Sequence, residues 1–204
     1  GGAGDDTISG GSSGVDLING DEGDDVVLFD DQANQLFSAG TLVDQIDGGT
    51  GANSIRLSFR DGGGTMGYTI AFTDHWSRAS NIQSLETGLA NFNAIEIDLN
   101  ASAFTTGIRT VSLARDSNPF GVNRINASLA MTGQNLSLVG SAGADAITGG
   151  AGNDTYVVDS ALDVVQENTG AGGADAGGRP GDEGCLVRET LGGHGRTLVP
   201  LVRS

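Results

Sequence analysis

The sequence has no lysine, one cysteine, three prolines and two histidines, and each scarcity closes a route. A single thiol, Cys185, excludes an internal disulfide framework. Aromatic residues make up 5% and hydrophobic residues 37% of the chain, thin for a deep globular core but enough for a narrow one between stacked strands. No apolar run approaches the roughly 18 residues of a membrane span, and no basic segment followed by an apolar one opens the chain. The sequence begins at Gly1 without methionine and is read as a piece of a longer protein. Ten Arg face 26 acidic residues, and the net charge of −16 argues against nucleic acid or an anionic membrane as partner.

Glycine, by contrast, is abundant: 35 of 204 residues, where roughly 7% is usual. It clusters with aspartate in rows. The first three are GGAGDDTIS (1–9), GGSSGVDLIN (10–19) and GDEGDDVVL (20–28); a degenerate copy, GGTGANSIR, follows at 48–56. Two late rows are GSAGADAIT (140–148) and GGAGNDTYV (149–157). Each is a Gly-rich acidic turn followed by a short strand with an apolar centre, and the period is nine with one insertion in the second row. Glycine reaches backbone angles that residues with a Cβ avoid, and neighbouring carboxylates repel unless a cation lies between them. The pattern therefore asks for tight turns and a cation.

The rows resemble the GGxGxDxUx nonapeptide of the RTX, or haemolysin-type calcium-binding, family of bacteria. That resemblance implies an all-β fold, a parallel β-roll or β-solenoid with several calcium ions held in Gly-Asp turns. The stretch TYVVDSALDVVQENTG (155–170) is similar to the sequence that commonly follows the last repeat in such proteins. The family also implies export by type I secretion machinery in an unfolded state and folding outside the cell, hence a secreted or cell-surface location with cell-surface or self-assembly contacts. The candidate metal residues are Gly2, Gly4, Asp6, Gly11, Gly14, Asp16, Asp21, Gly23 and Asp25 in the first block. In the second they are Gly143, Asp145, Gly150, Gly152, Asp154 and Asp159.

The row length has a geometric consequence. Nine residues give about six to a turn and three to a strand, so two rows make one coil and rows n and n+2 stack. Backbone carbonyls and Asp carboxylates then line the gap between stacked turns, which suits a hard cation taking six to eight oxygens at about 2.3–2.6 Å. Calcium fits this better than magnesium, and the absence of His and Cys from every row argues against zinc. On this stacking Asp6 and Asp25 share one site, while Asp16 lies on the opposite side with the degenerate turn near Asp30 and Asp31. Asp145 and Asp154 fall on opposite sides, each completed by a degenerate coil, with Asp159, Asp163 or the turn around Ala171 supplying partners.

Four segments result. Residues 1–56 form the first repeat block, 57–93 an irregular connection, 94–172 a β-solenoid running into the second block, and 173–204 an atypical tail. The alternating segments AIEIDL (94–99), IRTVSLA (108–114), INASLA (125–130) and NLSLVG (135–140) read as strands of period two, and Leu138, Ile147 and Tyr156 recur at intervals of nine. NIQSLET (81–87) resembles a short strand and turn found between calcium blocks. Residues 171–204 carry four Arg against Asp175, Asp182, Glu183 and Glu189, so the whole charge of −16 lies in 1–170. The tail is expected to be disordered or the product of a shifted reading frame.

Catalytic patterns are scarce. GGSSG (10–14) satisfies G-x-S-x-G around Ser12, but that elbow needs a strand before it, a helix after it and a His partner, and here it is the turn of a repeat. There is no HExxH zinc helix, and His75, beside Asp74 and Trp76, reads as a packing or surface residue. The expectation is a calcium-binding module without catalysis of its own. The alternatives are the repeat region of a secreted protease or lipase whose catalytic domain lies upstream, and an S-layer or adhesin-like structural piece.

Overall fold

The computed structural model describes residues 1–11, 14–29, 36–58, 67–88, 94–131 and 133–167, together with the backbone of 186–189 and 202–203. Its architecture is nearly all β, and the strands of its long sheets are parallel. The first sheet has eight strands in chain order: Thr7–Ile8, Val26–Phe29, Ser54–Leu57, Ser84–Thr87, Thr110–Ser112, Ser137–Val139, Thr155–Val158 and Leu186–Glu189. Between successive members the chain visits a second set of strands. Near the start this is the three-stranded sheet of Leu17–Asn19, Gln45–Asp47 and Ala79–Ser80. Further on it is the six-stranded sheet of Gly67–Ile70, Ala94–Asp98, Val122–Asn126, Ala144–Thr148, Val164–Glu167 and Val202–Arg203. One excursion from the first sheet and back is called a coil below.

The strands are short because each contributes only one or two inward side chains, and the alternation of buried and half-buried positions along Val26–Phe29 and Ser84–Thr87 follows the strand period of two. Parallel pairing in register stacks these side chains into ladders. On the first sheet the ladder runs Ile8, Val27, Ile55, Leu85, Val111, Leu138, Tyr156. On the six-stranded sheet it runs Ile70, Ile97, Ile125, Ile147, Val165. These residues form one hydrophobic cluster, in which each fully buried aliphatic side chain contributes about 1.5–3 kcal/mol relative to exposure. The nine-residue recurrence of Leu138, Ile147 and Tyr156 is thus an alternation between the two sheets.

Two expectations are corrected. Residues 57–93, read as irregular, supply the strands Gly67–Ile70, Ala79–Ser80 and Ser84–Thr87, so both sheets continue through them. A short helix, Ala101–Thr106, interrupts the strands where ASAFTT offers no alternating apolar pattern; the Asn100 side chain caps it by accepting from Ser102 and Ala103 N–H, and Gly107, at φ 119°, ends it. Within 173–204 the structure describes only Leu186–Glu189 and Val202–Arg203, which add one strand to each long sheet, in contrast to an unstructured tail at those two places. The rest of that segment, and with it the reading of a shifted frame, lies outside the described residues, as do Ser12, Asp30, Asp31 and Ala171. Among the described residues no helix is long and apolar enough to cross a membrane.

Candidate metal centre

The residue immediately ahead of each of the first seven strands of the first sheet forms a column along one rim, and its first two members are Asp6 and Asp25. They are 19 residues apart, and the Asp6 backbone N–H donates to Asp25 Oδ1 at 2.9 Å. Asp25 N–H donates in turn to Asn53 Oδ1 at 2.9 Å. Rows n and n+2 therefore stack, and the carboxylates the repeat predicted to share a site stand on adjacent coils. Asp25 is 1% exposed, and its Oδ2 has no hydrogen-bond partner. A buried carboxylate oxygen without a donor costs several kcal/mol unless a cation meets it.

The turns of the first block rely on backbone angles that favour glycine. Gly2, Gly4, Gly11, Gly14 and Gly23 all have φ between 87° and 139°, the left-handed side that a residue with a Cβ avoids. The first glycine of each row serves a different purpose. A Cβ on Gly1 would lie 2.7 Å from Asp6 Oδ2, one on Gly10 would lie 2.8 Å from Asp16 Oδ2, and one on Gly20 would collide with Asp25 Oδ2 and the Gly48 carbonyl. Each row's carboxylate thus folds back over its own leading glycine, and beside Gly1 and Gly20 a carbonyl of the next coil, that of Gly20 and of Gly48, faces the same point. Glycine turns, carbonyl oxygens and an orphaned carboxylate oxygen form a donor set suited to calcium.

Asp16 lies on the other side of the first block, as expected, but its described partner is one the repeat pattern did not show. Its N–H donates to Oδ1 of Asp44, a buried residue, at 2.9 Å. The only sequence signal for Asp44 is the string Asp44-Gln45-Ile46, which matches Asp16-Leu17-Ile18 in register but lacks the Gly-rich turn. A second, more exposed rail was also missed: Asp24 N–H donates to Asp5 Oδ1 at 2.8 Å and Ala52 N–H to Asp24 Oδ1 at 2.7 Å. Asp21 occupies a left-handed turn position, φ 72°, where other rows place glycine. Its carboxylate accepts from Asn19 Nδ2 at 2.7 Å.

The second block uses its carboxylates differently. Asp145, Asp159 and Asp163 bring carboxylate oxygens within 4.8 Å of one another, and Asp145 N–H donates to Asp163 Oδ1 at 2.9 Å. Burial pushes the Asp145 carboxyl up to about 7, and the charge of Asp163 adds to the rise. Asp159 is raised by burial and by the same neighbour. Three carboxylates this close repel one another, and a cation among them would relieve both that repulsion and the burial of Asp145. Meanwhile Asp145 Oδ2 accepts from Ser141 N–H at 2.7 Å, so the turn's own donors partly neutralise it.

Asp154 lies on the opposite side, as predicted. No second described carboxylate joins it: it accepts from Leu136 N–H at 2.8 Å and from Gly150 N–H at 3.0 Å, and burial raises its carboxyl. Gly143, Gly150 and Gly152 differ from their first-block counterparts because none has a left-handed φ. What they provide is close approach: a Cβ on Gly150 would lie 2.7 Å from the Ala130 carbonyl and one on Gly152 2.8 Å from that of Gln134. As for catalysis, the strand Leu17–Asn19, and not a helix, follows the GGSSG turn, and His75 is exposed with its N–H donating to Gly40 O.

The family model described as the RTX calcium-binding nonapeptide repeat matches the chain in four copies, over residues 1–36 and 137–165. These are the two stretches that contain Asp6, Asp16 and Asp25 on one hand and Asp145, Asp154, Asp159 and Asp163 on the other. No curated protein and no solved structure matches the chain.

Proposed function

The chain is an RTX-type calcium-binding repeat protein, and on that premise we propose that it is a non-catalytic β-roll module of a secreted or cell-surface bacterial protein whose end blocks order on calcium after export. The observation that carries the reading is the Asp6–Asp25 stack with its buried, unpartnered Asp25 Oδ2. The Asp145–Asp159–Asp163 cluster supports a further ion at the other end. The net charge of −16 adds a global term, because bound cations relieve the self-repulsion that opposes compaction.

The concentration of calcium makes the response depend on compartment. At a site Kd of about 0.1 mM, about 1 mM calcium contributes about 1.4 kcal/mol per site, whereas micromolar calcium contributes almost nothing. Several such sites acting together keep the end blocks loose inside the cell and order them outside.

The test is calorimetric titration of the full chain after chelator treatment, followed in parallel by far-ultraviolet circular dichroism. Binding of more than one calcium ion with a gain of strand signal is expected. Absence of both heat and spectral change at millimolar calcium would refute the reading.

A further inference from the structure

The rim column that starts with Asp6 and Asp25 continues through Asn53, Gln83, Arg109, Leu136 and Asp154, each one residue ahead of a first-sheet strand. We propose that Asn53, Gln83 and Arg109 terminate the calcium ladder by replacing its carboxylates with an amide that donates across the gap, a neutral acceptor and a cation, so that the middle coils fold without calcium and template the calcium-dependent coils beside them. The proposal rests on the calcium-binding reading of the end blocks.

Two consecutive coil interfaces carry the argument. Beside Gly20, the point a Cβ would occupy is flanked by Asp25 Oδ2 and the Gly48 carbonyl, two acceptors facing one space. One coil further, the equivalent point beside Gly48 is flanked by Asn53 Nδ2 and the Asn81 carbonyl, and Nδ2 donates to that carbonyl at 3.1 Å. A carboxylate can only accept, whereas an amide accepts with one atom and donates with the other. Asn53 does both, since its Oδ1 still receives the Asp25 N–H. Exchanging one oxygen for NH₂ turns an acceptor–acceptor contact, which needs a cation, into a hydrogen bond, which does not.

The next members extend the substitution. Gln83 Oε1 accepts from Asn53 N–H at 2.7 Å with no charge introduced. Arg109 brings a fixed positive charge, and its Nη1 donates to the turn carbonyls of Phe104 at 3.0 Å and Ile108 at 2.7 Å. Elsewhere in the same coils Asn100 Nδ2 donates to the Phe72 and Asp74 carbonyls at 2.7 and 2.8 Å. Asn123 accepts from Ile95 N–H at 2.8 Å while donating to Ser141 Oγ at 2.7 Å. Acidic residues here are paired within the protein: Glu86 with Arg56 at 3.0 Å, and Asp98 with both terminal nitrogens of Arg124 at 2.6 and 3.0 Å. These coils also bury Trp76, Leu85, Ile95, Ile97 and Phe104, whereas the first row contributes only the half-buried Ile8.

Hydrogen exchange of the full chain, read by mass spectrometry in chelator and in calcium, tests the partition. In chelator, amides of Ser84–Thr87, Ala94–Asp98 and Thr110–Ser112 should stay protected, while those of Leu17–Asn19 and Val26–Phe29 should exchange at least about tenfold faster than in calcium. Asn53→Asp should add one calcium ion to the calorimetric stoichiometry and make protection of Ser54–Leu57 depend on calcium. If that variant fails to fold even in calcium, Gln83→Glu asks the same question one coil further on, and the wild-type exchange pattern decides by itself. Loss of protection throughout the chain in chelator, with calcium binding intact, would overturn the partition and leave the binding reading standing. So would unchanged stoichiometry in a folded Asn53→Asp protein. Failure of the wild-type chain to bind calcium at all would overturn both.

Discussion

The backbone N–H of Asp6 donates to the carboxylate of Asp25 at 2.9 Å, across 19 residues of sequence and one coil of the fold. If both carboxylates serve one ion, Asp6→Asn and Asp25→Asn should each weaken the same site. The double change should cost less than the sum, with a coupling of about 0.5–3 kcal/mol. Asp16→Asn, on the other side of the block, should add independently to either. Calcium titrations of the single and double variants measure this; strict additivity between Asp6 and Asp25 would break the proposed pairing.

Asp44 offers a check on a partner that the repeat pattern does not contain. Its buried Oδ1 accepts the Asp16 N–H, so Asp44→Ala leaves a donor without its acceptor and should destabilise the chain by about 1–3 kcal/mol in saturating calcium. Chemical denaturation reads the change. An effect below a few tenths of a kcal/mol would show that the contact contributes little.

Gly20→Ala places a methyl group against both Asp25 Oδ2 and the Gly48 carbonyl. The expected result is a loss of about 1–3 kcal/mol, as for other overpacked sites, together with weaker calcium binding. Gly14→Ala, where a Cβ would meet nothing within 4 Å, should pay only the backbone strain of φ 107° and so cost less. Equal losses in the two variants would argue against a crowded space beside Gly20.

The second block should respond to pH through Asp145. With its folded value near 7, well above the usual carboxyl range near 4, the ion-free folded state holds a proton that the unfolded chain has released. Ion-free stability contributed by this group is therefore full below about pH 4 and lost as pH rises toward about 7, while calcium affinity at the cluster rises over the same window. Titrations at about pH 5 and pH 8 should show tighter binding at the higher value, and Asp145→Asn should remove most of that difference. A pH dependence unchanged in Asp145→Asn would assign it to another group.

How much of this was legible depended on whether turn and strand fell in one nine-residue frame. Where they did, the stacking of Asp6 on Asp25 and the opposite placement of Asp145 and Asp154 followed from row length, since two rows make a coil of 18 or 19 residues. Beyond Asp25 the column steps lengthen to 28 and 30 residues, and no period survives. The strands Gly67–Ile70 and Ala79–Ser80 were therefore missed: the first alternates over only four residues behind the glycine-rich 62–64, the second is two residues long, and their partners lie a coil away. Asp44 was hidden because its coil supplies the strand half of the motif without the glycine half. The helix at Ala101–Thr106 depends on a local cap, Asn100, in a stretch that otherwise reads as neither period.

The most direct measurement of the central claim is to titrate the chelator-treated chain with calcium and, separately, with magnesium, following heat and circular dichroism together. The turns offer the carbonyl and carboxylate oxygens that suit a large, flexibly coordinated ion, whereas magnesium demands near-octahedral geometry and keeps its waters. Calcium should bind several ions per chain and raise the strand signal, and equal magnesium should leave both nearly unchanged. Equal affinity and equal ordering by the two ions would contradict a calcium-selective repeat module.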